Sequence, residues 1–415
     1  MIKKEKIYAL IVLLAGATLV LIALSSWRND KLRTQYNERA EAYHQQADIE
    51  KKWLITTQLS NGAFAKRPEN QGNASVVPYF SCFTALALID GDEKGEYREQ
   101  VRDYIDWHFA HLNDKKEDYN GVAGTIYNYD VVIENGIVTK EQSTGEYDST
   151  DSYAATFLSL VYGFARQYEE QEYLENHKTE LLAVSNAMLE TMNHGLSYSK
   201  PDYKIKFLMD NAEVYAGCQD MSELITMLKL DTSGSNQEEF VELKKQLVKN
   251  QKVLRKNIQG LWNQKGQYYE PAVGTSGEPA SEFEWEEFYP SAASQLFPVI
   301  FGVVTPQDVY SKEVYKQFSS VYQWEELEHY YDGKASFYWS MLAYAGACMG
   351  DEDRVNTYIK SYCKETKIGH EKPLYNADSA WMIRSCEYMA NTYKEKPIGL
   401  IQVCMEKIKR LENQL

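Results

Sequence analysis

Cysteine is sparse and scattered. Cys82, Cys218, Cys348, Cys363, Cys386 and Cys404 show none of the paired spacing that a zinc or cluster site needs. Most stand inside apolar helical stretches, which makes them buried thiols rather than a disulfide framework; Cys363, among polar neighbours, fits that reading least. Basic residues are outnumbered, 44 against 60 acidic, and the formal charge of -16 speaks against a nucleic-acid groove and for a neutral partner. There is no glycine-rich phosphate loop, no serine nucleophile elbow and no Cys-His catalytic signature. His108 and His111 in "WHFAHL" have a metal-compatible helical spacing, but no third ligand lies near them in sequence, so packing is expected of them. No metal or cofactor is expected.

Tyrosine is what the chain has in excess, 32 copies beside 8 tryptophans, and flat amphipathic rings are the side chains that stack on sugar faces. Lys3, Lys4 and Lys6 precede an uncharged apolar run, Ile7 to Leu24, of the length that crosses a bilayer. The lysines would stay inside, so residues 1–27 read as a single-pass anchor in the cell membrane with the rest of the chain extracytoplasmic. Ala23-Leu24-Ser25 has some likeness to a signal-peptidase site, but the run is long for a signal peptide and an uncleaved anchor is expected. Residues 28–52 are polar and helix-favouring, a stalk leading to a domain at 53–415.

Beyond Trp53 two kinds of helical segment alternate. One is amphipathic, as in "EEFVELKKQLVKNQKVLRKNIQGLW", with Phe240, Leu243, Leu247, Leu254, Ile258 and Leu261 on one stripe. The other is apolar nearly all round: "PYFSCFTALALI" from Pro78, "DSYAATFLSLVYGF" from Asp151, "NAEVYAGCQDMSELITML" from Asn211, "PSAASQLFPVIFGV" from Pro290, "ASFYWSMLAYAGACMG" from Ala335 and "SAWMIRSCEYMA" from Ser379. Such segments must be buried on both sides, and each follows a more polar helix and a loop rich in Gly, Asn, Pro and Tyr. Six hairpins of this kind pack as an all-α double ring, an (α/α)6 toroid, in one domain. In "VVIENGIVT" two β-branched runs flank Asn-Gly, so small β-hairpin loops are expected on one rim. The loops entering the inner helices bring aromatic and acidic residues to that rim.

Six hairpins, acids at inner-helix starts and aromatic loops together resemble the six-hairpin glycosidase superfamily, which includes the inverting enzymes of glycoside hydrolase family 8. The resemblance is architectural and covers about residues 53 to 410. It implies an extracytoplasmic enzyme acting on a polysaccharide or oligosaccharide, with one carboxyl protonating the glycosidic oxygen and another activating water. The family 8 pattern places a glutamate at the start of the first inner helix, where this chain reads "VVPYFSCF" and has no acid. That leaves three readings: a proton donor on another hairpin, another family of the superfamily, or a ring that only binds glycan, as an assembly subunit of a polysaccharide synthesis or export system. A polysaccharide lyase is a further alternative, disfavoured by the acidic charge.

The candidate catalytic acids are Asp148 and Asp151 in "YDSTDSY", Asp210 in "FLMDNAEVYAG", and Glu286 and Glu287 in "EFEWEEFYP". Asp148, Asp210 and Asp378 also suit helix N-caps, and Asp151 the first turn. Recurrence at adjacent inner helices is what a cap does not require and a shared cleft does. A glutamate against Trp285 or Tyr289 would have its pKa raised by the apolar contact. Tyr79, Tyr129, Trp285, Tyr289, Trp339, Asp378 and Trp381 are the candidate substrate-binding residues.

Overall fold

A computed structural model describes residues 4–232, 236–367, 370 and 375–399; within the first helix the side chains of 4–7, 9–10, 17–19 and 21–22 fall outside the description. Cys404 lies outside the described residues as well. The chain is mostly helical, with a few short strands.

α1 (Lys4–Leu54) runs unbroken through both the expected anchor and the expected stalk. The spanning helix expected at the N-terminus is not found: among the described residues no helix is long and apolar enough to cross a membrane. Part of the run from Ile7 to Leu24 lies outside the described side chains; where they are described, Ile11, Val12, Leu13, Leu14, Val20 and Leu24 are exposed. The chain divides into two compact units, 47–385 and 1–46 with 386–415. In the smaller unit, Tyr43 stacks on Tyr393 at 6.2 Å and the Arg39 guanidinium donates to the Tyr393 hydroxyl at 2.6 Å.

The larger unit is built of helical pairs. α2 (Pro78–Ile89), with proline in its first turn, pairs with α3 (Arg98–Ala110). α4 (Asp151–Tyr168) is followed by the short α5 (Gln171–Asn176) and by α6 (Lys178–Glu190), then α7 (Leu208–Met227) by α8 (Gln237–Gly260). α9 (Phe297–Ile300), α10 (Val309–Val321), α11 (Glu328–Tyr331), α12 (Met341–Met349), α13 (Glu352–Thr366) and α14 (Asn376–Lys394) complete the order. α2 packs on α4, α4 on α7, α7 on α9 and α9 on α12. Trp381 of α14 then meets Tyr344 of α12 at 5.3 Å and Phe83 of α2 at 4.9 Å, so the inner helices return to where they began. This arrangement is compatible with a double ring.

Small residues let the inner helices approach closely. A Cβ on Gly217 of α7 would stand 2.8 Å from the Cα of Ala155 on α4. The amphipathic helices lie outside, α8 burying Phe240, Leu243, Leu247, Leu254 and Ile258 against α7.

Two inner segments depart from the sequence expectation. The segment from Pro290 is broken, a π-type turn at Phe288–Ala292 followed by the one-turn α9, because Pro298 supplies no amide and blocks a continuous helix. The segment from Ala335 is irregular until α12 begins at Met341. The expected hairpin is present: β2 (Tyr129–Glu134) and β3 (Ile137–Ser143) pair through Asn135 and Gly136, both with positive φ. β1 (Gly72–Val76) adds on the other edge of β2.

Candidate active site

A cleft of about 520 Å³ opens where the inner helices begin, and Asp148, Asp210, Tyr79, Tyr289, Trp339 and Trp381 are among its walls. Its acids come from the starts of α4 and α7. Asp148 lies exposed in the loop before α4 and does not cap it; the N-cap position is Thr150. Asp151, the first residue of α4, is fully buried behind the cleft surface. Its carboxylate accepts the Ser197 hydroxyl at 2.5 Å and the Ser152 amide at 2.8 Å. Burial, aided by the charge of Asp148, pushes its carboxyl up to about 7 against the opposing effect of those two donors.

Asp210 is the third residue of α7 rather than its cap. Burial first, then the charges of Asp151, Glu213 and Asp148, hold its carboxyl well above the usual carboxylate range. Glu213 lies on the same side of α7, three residues on, buried, and accepts the Tyr79 hydroxyl at 2.5 Å. Burial raises it too, and Asp151 and Asp148 add to that. Asn211 ties this helix to the neighbouring loop: it accepts the Ser197 amide at 2.7 Å and donates to the Ser197 carbonyl at 3.1 Å, which fixes the serine that serves Asp151. Asp148 and Asp210 therefore meet at one end of the cleft with Asp151 and Glu213 buried behind them, and neighbouring acids add to burial in raising Asp151, Asp210 and Glu213.

Aromatic rings form the rest. Tyr79 stacks on Tyr153 at 5.6 Å, and Tyr289, half exposed at 52%, meets Trp339 at 5.4 Å. The Tyr289 hydroxyl is pushed up to about 12, by burial and then by Asp210, Asp148 and Glu213. Trp381 lines the cleft, and Arg384 lies over its ring at 4.7 Å. Asp378 lines the cleft too, in the first turn of α14.

Other expected residues lie elsewhere. Glu286 and Glu287 are exposed and are not among the cleft's walls; the Glu287 carboxylate accepts the Ser291 hydroxyl. Trp285 turns its ring edge to Phe283, and its carbonyl accepts the Tyr322 hydroxyl at 2.8 Å. Tyr129 is buried in β2 against Trp107 and His111. His108 stacks on Phe157 at 3.6 Å, and His111 Nε2 pairs with the Glu141 carboxylate at 3.2 Å. Among the described residues no group of three or more His, Cys, Asp or Glu is placed to hold a metal. Glu213, Ser152, Tyr153 and Phe337 join the site without having been expected there. For Glu213 a signal exists, an ionisable residue one turn beyond Asp210 inside an apolar segment.

No protein-family model and no curated protein matches the chain. Solved structures do. The mannosylglycerate hydrolase of glycoside hydrolase family 63 from Thermus thermophilus, in complex with glucose, superposes with a TM-score of 0.51 at 11% identity, over 82% of this chain and 99% of that one. A rhamnosidase from Klebsiella oxytoca with rhamnose bound gives 0.51 at 13% identity, over 83% and 64%. A family 78 rhamnosidase of Bacillus sp. GL1 gives 0.50 at 10% identity, over 84% and 34%. The fold is similar to those of these solved glycosidases. At these identities the likeness carries the fold alone. Within this fold the cleft lies at the starts of α4 and α7, where the acids converge.

Proposed function

We propose that this chain is a glycoside hydrolase acting on a polysaccharide or oligosaccharide with inversion. The observation that carries the reading is the meeting of Asp148 and Asp210 on one cleft walled by Tyr289, Trp339 and Trp381. Asp210, whose carboxyl is held well above the usual carboxylate range by burial and its acidic neighbours, is the general acid that protonates the glycosidic oxygen. Asp148, open to solvent on the same cleft, is the base that activates water. Asp151 and Glu213 lie behind them, held by Ser197 and Tyr79, and keep the cluster's protons and geometry. Glu286 and Glu287 have no part in this assignment. The named neighbours, a mannosylglycerate hydrolase and rhamnosidases, support a carbohydrate substrate. Asp148, Asp210 and Asp378 on the walls, against Lys334, favour a neutral sugar over a uronate.

The test is a panel of oligosaccharides with anomer-resolved NMR of the products. Inverted product, with kcat/KM lowered roughly 10²–10⁴-fold in Asp210→Asn and Asp148→Asn enzymes, is the expected result. Activity retained in both variants removes the assignment. Unsaturated, ultraviolet-absorbing products would make the protein a lyase. Glycan binding without turnover, unchanged in both variants, would make it a binding or assembly subunit. We further propose that the apolar segment from Ile7 to Leu24 holds the chain at the cell membrane with the glycosidase-like unit outside, a reading supported by the exposed apolar side chains of α1.

A further inference from the structure

The segment between α11 and α12 carries Trp339 into the cleft in an unusual way. Its φ is +55°, a left-handed conformation that a bulky side chain adopts only when its surroundings impose it. Those surroundings are explicit. The Tyr338 carbonyl accepts the Tyr358 hydroxyl from α13 at 2.8 Å and lies 2.8 Å from Nε2 of His329 on α11. The amides on either side of Trp339 both point to one acid: Tyr338 N–H donates to Asp378 Oδ2 at 3.2 Å and Ser340 N–H to Oδ1 at 3.3 Å. Asp378 is 3% exposed. Its position in the first turn of α14 was expected to make it the cap of its own helix; instead both its oxygens serve a different segment.

We propose that Asp378 is a positioning residue, which acts on substrate through Trp339 by clamping Tyr338 to Ser340 so that the indole stands in the cleft as a sugar platform. The proposal rests on the glycosidase reading for its substrate, but its geometry stands apart from it. With Asp378 in place the indole is braced by Phe337, stacked at 5.0 Å, and by Tyr289 at 5.4 Å. An asparagine at 378 has one acceptor for two amides and turns an N–H₂ group towards one of them. The segment keeps its hold through Tyr358 and His329, so the loss falls on the direction of Trp339.

The experiment is a double-mutant cycle on KM and kcat with Asp378→Asn, Trp339→Ala and both together. Expected are a KM about fivefold higher in each single variant with kcat little changed, and a double variant no worse than either. Effects that multiply in the double variant, or a loss confined to kcat, overturn the proposal. Trp339 emission, obtained as the difference between the parent and its Trp339→Phe variant, gives a readout without substrate. It shifts to the red in the Asp378→Asn background if the clamp holds the indole, and an unmoved spectrum overturns the proposal. If Asp378→Asn does not fold, Asp378→Glu is read the same way, its carboxylate displaced by one methylene. A wild type that turns over no glycan while the emission shifts would end the glycosidase reading and leave the clamp standing.

Discussion

Asp151 shows how burial, with an added push from the charge of Asp148, converts a helix-start aspartate into a group that titrates near neutrality. Among the described residues no cation stands beside it, and its donors are the Ser197 hydroxyl and the Ser152 amide, so the cost of burying its charge dominates and its carboxyl stands at about 7. The sign for stability follows. In the unfolded chain an aspartate ionises near pH 4, whereas the folded protein holds this proton until about 7, so its stabilising contribution is full below about pH 4 and is lost as pH rises to about 7. The ceiling on that loss is about 4 kcal/mol. Asp151→Asn removes this dependence: thermal melts between pH 4 and 8 should show the wild type losing more Tm with rising pH than the variant. Parallel curves would sink this account of the buried acid.

At the level of elements, the site depends on how closely α4 and α7 approach. Gly217 meets Ala155 with no space for a Cβ, and this contact sets the distance at which Asp151 and Asp210 face each other from the two helix starts. Gly217→Ala should cost about 1–3 kcal/mol through forced separation of the helices. The measurement is a thermal melt alongside kcat, and both should fall; a variant with the parent's Tm and kcat would show that the contact is slack. The Tyr338–Ser340 segment makes the complementary point. It is apolar in sequence and reads as the start of a helix, but Asp378, Tyr358 and His329 hold it out of the helix and delay α12 to Met341.

For the whole molecule, the acidic balance and the apolar start of α1 pull in different directions, since a chain of charge -16 keeps itself in solution while the exposed Ile11, Val12, Leu13 and Leu14 do not. Under the membrane proposal the full chain stays in the membrane fraction through alkaline carbonate washing and is released by detergent. A chain beginning at residue 28 should appear in the aqueous fraction with unchanged kcat/KM. Release of the full chain by carbonate alone would remove the proposal.

By itself the sequence determined the helical alternation, because apolarity on all sides has no stable place except between two layers, and this is legible in "DSYAATFLSLVYGF" without any partner in view. It also determined the Asn135-Gly136 hairpin, whose positive φ angles few other residue pairs accept. The convergence of Asp148 and Asp210 was readable as recurrence at helix starts. Only the tertiary structure decided which acids share a cleft. Glu213 and Asp210 stand one turn apart on α7, but what raises them is burial where α7 packs on α4, followed by the charges of Asp151 and Asp148, which no local pattern encodes. Glu286 and Glu287 had the same local credentials as the others, yet they are exposed before the broken segment at Pro290 and are not among the cleft's walls. Asp378 had the credentials of a cap, yet its oxygens bind amides forty and thirty-eight positions away in the chain, a choice that exists only once α14 packs beside the segment before α12.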